Sequence, residues 1–303
     1  MFKSKNSMSR ALVRRETTAG YLFLLPSLFF FVTFVLYPMF LCIYTSFFDS
    51  NMGKNAVDVF VGLGNYKELF QDKLFLGALK NTVVIVVVAV PTVCAFSLWV
   101  ATAIYDMKPA LTSAFRCIFY LPVVTGSVAV TVVWKWMYNS RYGVFNYLFK
   151  SLGIIDQNIN WLGDARFALW CIILILFTTS VGQPIVLYVS ALGNVDHSLV
   201  EAAQVDGANR RQVFWKIKWS QIMPTTLYIL IITTINSFQC FALIQLLTSG
   251  GSGTNTVMYY IYYTAFKLTE QSGHFGYANA MGVILAIFIG LLSALQFKLA
   301  KEK

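Results

Sequence analysis

The chain is poor in charge. Of its 303 residues, 12% are Asp, Glu, Lys or Arg, about half the share of an ordinary soluble domain. Apolar residues make up 57%, more than one water-soluble core would hide, so the chain reads as an integral membrane protein. Histidine is nearly absent: His197 and His274 stand in different polar segments. Cysteine is scarce and unpatterned. Cys42, Cys94, Cys117, Cys171 and Cys240 sit in apolar runs, form no CxxC and are odd in number. They read as small core residues, and neither a disulfide framework nor a metal site is expected. No GxxxxGK[ST] phosphate loop occurs, because Gly250, Gly251 and Gly253 lack the following Lys-Ser/Thr. The chain is therefore expected to bind no nucleotide or other cofactor itself and not to be an enzyme. No acidic residue stands in the middle of an apolar run. That weighs against a proton- or sodium-coupled carrier, which relies on a buried carboxylate or a broken-helix ion site.

What is present is a series of apolar runs at about 21–48, 81–104, 114–137, 167–192, 223–247 and 277–297. Each meets the roughly 20 residues a helix needs to cross a bilayer. The expected fold is an all-α integral membrane protein with six transmembrane helices: residues 1–20 as an N-terminal segment, 21–299 as one six-span domain and 300–303 as a tail. The first run is too long for a signal-peptide core and lacks a small-residue cleavage site, so it reads as an uncleaved span. Pro26 and Pro38 are expected to bend it. Pro184, inside the fourth run, deprives the Ser180 carbonyl of its helical donor, which predicts a kink or a polar opening. Arg116 and Lys135 lie near the ends of the third run, where long cations snorkel. The aromatic stretch 258–263 suits an interfacial segment. Six spans put both termini on one side, together with the 104–114 connection and the polar stretch 196–222. With Arg116 and Lys298 at their edges, these segments carry fourteen of the twenty-three Lys and Arg residues, against eight on the other side. The positive-inside rule assigns the richer side to the cytoplasm. The net charge of +10 then follows from topology, and no nucleic-acid partner is needed to explain it.

The stretch 201–224, EAAQVDGANRRQVFWKIKWSQIMP, is a basic island between apolar runs. Asp196 can cap a helix whose apolar positions are Leu199, Ala202, Ala203 and Val205, and Gly207 supplies a positive-φ stop. Asn209 can cap a second helix carrying Val213, Phe214 and Ile217. Two short helices with a glycine elbow make a knob on the membrane surface, a shape suited to a groove on a partner. At Glu201, Ala202, Ala203, Asp206, Gly207, Ala208, Phe214, Ile217 and Pro224 the chain resembles the EAA loop of membrane permeases of binding-protein-dependent ABC importers. The spacing is that of the carbohydrate branch, similar to the maltose and glycerol-3-phosphate importers. Asp196-His197 and Ser220 stand where that family often has proline. Further resemblances are the GLxNY-like segment Gly62–Tyr66, Tyr142-Gly143, Asn160-Trp161-Leu162 and the GYAxAM-like segment Gly276–Met281. Together they cover nearly the whole chain after residue 20. The resemblance implies that 196–222 is a cytoplasmic helix-turn-helix coupling loop, docking on an ATPase that uses ATP and Mg. It also implies a heterodimer with a second related permease, two ATPase subunits and an extracytoplasmic sugar-binding protein. The lipid bilayer of a prokaryotic cell membrane completes the setting, with both termini cytoplasmic. The length and the GLxNY-like loop point to the larger permease type.

The fifth run is the most polar. Thr233, Asn236, Ser237 and Cys240 share one helical face at i, i+3, i+4 and i+7, with Gln239 bordering it. Such groups must meet protein or water within a membrane, and hydroxyls and amides suit uncharged sugar hydroxyls. They also suit simple helix-to-helix glue. Phe241–Thr248 resembles the corresponding segment of the maltose importer's larger permease, whose span lines the sugar site. That resemblance implies a substrate pathway through these residues, with Gly182 and Ile185 as analogous positions on the fourth span. The alternatives are an ion-coupled secondary carrier or channel acting without an ATPase, and a membrane scaffold without transport. Neither requires the glycine-elbowed knob.

Overall fold

The computed structural model describes residues 3–50, 58–266 and 274–301. The first span is α1 (Lys3–Phe31) and α2 (Tyr37–Thr45), joined by a π-helical turn, Val32–Leu36, just ahead of Pro38. In that turn the Tyr37 N–H reaches the Val32 carbonyl, a wider ring of the kind that lets a helix absorb an awkward residue. The apolar stretch Glu16–Thr45 has none of its hydrophobic window buried within this chain. Its later part, α2, leans on the last helix.

Beyond the first span, β1 (Phe48–Asp49) and β2 (Val59–Phe60) pair antiparallel, and α3 (Gly64–Leu69) follows. The GLxNY-like segment has a structural role here. Asn65 donates to the carbonyls of Ser46 and Phe48 at 2.8 and 2.9 Å, and the Tyr66 hydroxyl meets Ser46 Oγ at 2.6 Å. Asp72 then caps α4 (Lys73–Tyr105), accepting from Leu74 N at 2.7 Å. The third apolar run departs from expectation. It is not one rod but α5 (Pro109–Val124) and α6 (Ser127–Met137), meeting at 92°. The bend falls at Gly126, whose φ of 80° no helix accommodates. Among the described residues, counting that pair as one span gives six; leaving it out gives five. Lys135, at the end of α6, donates to the Leu246 carbonyl at 2.9 Å rather than reaching only for water.

After α7 (Val144–Ser151), the fourth span is α8 (Ala168–Ser180) and α9 (Gly182–Gly193), broken at Val181. This is the kink that Pro184 requires, and Ser97 Oγ reaches the Val181 carbonyl at 3.3 Å. Next come α10 (His197–Val205), α11 (Arg210–Val213), a π-helical turn Phe214–Lys218, α12 (Trp219–Phe238) and α13 (Ala242–Leu247). The second knob helix is not separate from the fifth span. Arg210–Leu247 is a single 38-residue member. Helices α14 (Val257–Phe266) and α15 (Phe275–Lys301) close the chain. The aromatic α14 does not simply lie among headgroups. Its Tyr259 and Tyr260 are buried where it packs on α4 and α15.

Helix α4 is the hub. It packs against α9, α12, α8 and α14. Since lipid is as apolar as leucine, close approach and polar ties hold such helices together. Ala89, Ala101 and Ser97 are fully buried on α4. On α9, a side chain at Gly182 would strike the Phe119 carbonyl of α5. Polar ties complete the joint: Gln296 Nε2 donates to Thr234 Oγ1 at 2.9 Å, and Asn279 Nδ2 to Thr45 Oγ1 at 2.7 Å.

Candidate functional site

The knob is built from its caps. Asp196 Oδ1 accepts from Ser198 Oγ at 2.7 Å and Ser198 N at 2.9 Å. These donors hold its carboxyl below the ordinary carboxylate range. At the other end of α10, Gly207 N–H donates to the Gln204 carbonyl and Ala208 N–H to Ala203 at 2.9 Å. This is the six-to-one and five-to-two pairing of a Schellman stop. Gly207 has φ +83° and open space where a Cβ would stand, so backbone conformation alone demands glycine. Asn209 and Gln212 then form a reciprocal capping box at 2.8 and 2.9 Å, which satisfies two otherwise free N–H groups. Asp196 N–H donates to Gln221 Oε1, and Val213 is buried, so the knob is tied back to the bundle.

Its outward surface presents two large apolar side chains among polar ones. Val205 is 89% exposed and Leu199 50%. Glu201, Ala202, Asp206 and Gly207 are exposed around them, while Ala203, Ala208, Phe214 and Ile217 are half-buried. The loop residues singled out from sequence thus divide into a presented rim and an inner seam.

The second region lies where the α8–α9 break, the end of α5 and α12 meet. A cavity of about 160 Å³ there is lined by Thr179, Ser180, Gln183, Tyr228, Thr233 and Asn236, among others. A neighbouring cavity of about 270 Å³ shares Val123 and Thr179 and reaches Gln239 and Cys240. Thr233, Asn236, Gln239 and Cys240 are therefore brought to one groove. Ser237 is buried among the helices instead. Gly182 and Ile185 face away: Gly182 abuts the Phe119 backbone and Ile185 is fully buried with Tyr188 and Ile229. On that span the groove is formed by Gln183 and Leu187. Which side of this span packs inward is decided by α5 and α12, helices remote in sequence, so it could not be read from the run around Pro184 alone. Gln183 itself carried a signal, a lone amide inside an apolar run. Asn236, Gln239 and Gln183 are all exposed in this chain, and among the described residues none of their side chains has a hydrogen-bond partner. An amide at membrane depth cannot rest against lipid. The groove therefore faces protein or water.

A bundle of bent, apolar helices with an unpartnered polar groove and a capped surface knob defines a multi-pass membrane transport subunit. Residues 75–301 match the family of binding-protein-dependent transport system inner membrane components, and the chain belongs to that family. It is 32% identical over 292 residues to the probable ABC transporter permease protein YesP of Bacillus subtilis (strain 168), covering 94% of this chain and 91% of that one. It is 31% identical over 297 residues to the lactose transport system permease protein LacF of Rhizobium radiobacter, covering 97% of each. A chain of the bacterial alginate ABC transporter, solved in complex with an alginate pentasaccharide-bound periplasmic protein, superposes with a TM-score of 0.79 at 22% identity over 93% of both chains. The chain is thus the membrane permease subunit of an ABC importer. That membership supports neither a carrier acting alone nor a scaffold.

Proposed function

We propose that this chain forms half of the translocation pathway of an ATP-driven, binding-protein-dependent importer of a sugar or oligosaccharide. The observation that carries the reading is the exposed apolar rim, Leu199 and Val205, on a knob whose second helix continues into the span bearing Asn236. Glu201, Ala202, Ala203, Asp206, Gly207, Ala208, Phe214 and Ile217 would seat it in a groove of a cytoplasmic ATPase. ATP and Mg would act there, on two ATPase subunits. A second, related permease would cover the unpartnered groove and the bare first span. An extracytoplasmic binding protein would deliver substrate to the outer loops, both termini being cytoplasmic by the Lys/Arg bias. Lactose and alginate appear in the names of similar proteins, and the uncharged amides and hydroxyls of Thr233, Asn236 and Gln239 suit sugar hydroxyls.

The test is affinity purification of the tagged chain from its native membrane. A second permease and an ATPase should co-purify in stoichiometric amounts. Gly207→Val should lose the ATPase while the chain still inserts, because a β-branched residue at φ +83° costs about 1–3 kcal/mol. Recovery of the chain alone, or normal uptake by the variant, would overturn the coupling role.

A further inference from the structure

The largest of the cavities described here, about 670 Å³, lies beneath the knob. One wall is the end of α4, with Thr102, Tyr105 and Asp106. The other is the inner face of α10 and the start of the long α11–α12 member. Its floor is apolar: Leu192, Val195 and Val213 are almost fully buried. Its polar groups are mainly cationic or hydrogen-bond donors: Arg210, Lys218 and His197 against the single carboxylate of Asp106. Among the described residues the ion pair found is Arg166–Asp164, so Arg210 and Lys218 meet no carboxylate there. Lys218 Nζ lies over the Tyr105 ring, 5.5 Å from its centre, which holds the ammonium at the cavity wall.

Depth is indicated independently. Trp215 and Trp219 pack against each other at 5.5 Å on the same turns as Lys218, and Trp215 is 54% exposed. Tryptophans of this kind mark the headgroup level of a bilayer. An apolar floor with cations at headgroup depth matches an amphiphile bearing a phosphate. Basic pockets between transmembrane helices on the cytoplasmic side take such lipids.

We infer that this cavity is a binding site for the phosphate headgroup of an anionic phospholipid, held by Arg210 and Lys218 between the knob and α4. The lipid would fill the hollow under the knob and so set how stiffly the knob is propped against α4. The site lies on the inner side of the knob, away from Leu199 and Val205, although Ala208 and Phe214, both in the proposed ATPase seat, also line it.

The test is native mass spectrometry of the full chain in mild detergent, titrated with phosphatidylglycerol or with phosphatidylcholine of the same acyl chains. The wild type should retain phosphatidylglycerol preferentially. Each basic residue near the surface is worth about a fivefold change in affinity, so Arg210→Gln with Lys218→Gln should lower that preference roughly 25-fold. Val200→Trp, which fills the cavity without changing charge, should also lose the lipid. Lys67→Gln, remote from the cavity, should not, and a monodisperse elution profile certifies each variant as folded. Equal retention of the two lipids by the wild type, or an unchanged preference in the double variant, would overturn the site. Displacement of phosphatidylglycerol by millimolar inorganic phosphate would show that free phosphate, not lipid, is the occupant and overturn the lipid assignment. Because lipid retention is read on the isolated chain, its failure is separate from any failure to co-purify an ATPase.

Discussion

At the scale of single residues, the smallest side chains carry the sharpest constraints. Gly182 lets α9 touch the α5 backbone at Phe119, so Gly182→Ala must push the two helices apart. Overpacking of this kind costs about 1–3 kcal/mol. A lower thermal midpoint of the purified chain in detergent is expected, and an unchanged midpoint would show the contact to be slack. Asn236 makes the opposite kind of claim, since its amide has no partner among the described residues although Thr234, two residues earlier, is tied to Gln296. Asn236→Leu should lower substrate uptake severalfold while the assembled complex still co-purifies. Unaltered uptake would reduce Asn236 to a packing role. The caps at Asp196 and Asn209 and the stop at Gly207 were legible from sequence, because caps and glycine stops act within three or four residues. The roles of Gly182 and Ile185 were not. Which face of that span turns inward is set by contacts with α5 and α12, which a periodicity count does not see.

At the scale of elements, the starts of three helices are fastened by one carboxylate. Asp72 Oδ2 accepts from the hydroxyls of Tyr260 at 2.7 Å and Tyr277 at 3.0 Å, joining α4 to α14 and α15. Burial opposes its ionisation, but these two hydroxyls and the amides of Leu74 and Phe75 outweigh it, leaving the carboxyl below its ordinary value of 3.8. A depressed carboxylate contributes its stability above that ordinary value and loses it as pH falls through the lower folded one. Asp72→Asn should therefore lower the thermal midpoint at neutral pH, and the difference from wild type should shrink as pH falls below 3.8. A gap that stays constant with pH would mean that the tie does not depend on charge. This tie joins segments nearly 190 residues apart and left no trace in any local pattern. The apolar runs were legible as spans, because hydropathy integrates over the length of a helix. The same averaging hid the 92° bend at Gly126, where the residues stay apolar while the direction changes. It also hid the continuity of α11 with α12, because Arg210, Arg211, Lys216 and Lys218 look like loop residues until their side chains are seen around an unbroken helix.

At the scale of the whole molecule, the chain is an incomplete object. Its first span is bare and its polar groove is open; lipid can cover the apolar span, but a bilayer alone cannot satisfy the groove. The proposed second permease would cover them, and the proposed ATPase would cover the knob. The member Arg210–Leu247 crosses all of this. From Arg210 to Phe238 it rises roughly 40 Å, with the knob surface near one end and Asn236 near the other. The two are fixed not only in distance but in angle around a common axis, like cams on a shaft. The π-helical turn Phe214–Lys218 preserves that angle, since it takes up one residue more than an α-helical turn would. Deleting Lys216 would only relax that turn to α-helix and keep the angle, whereas deleting Thr225 from the α-helical part would rotate the knob by about 100° relative to the groove. The chain without Thr225 should insert and bind its partner permease yet fail to transport, and transport at the wild-type rate would show that the shaft is jointed rather than rigid.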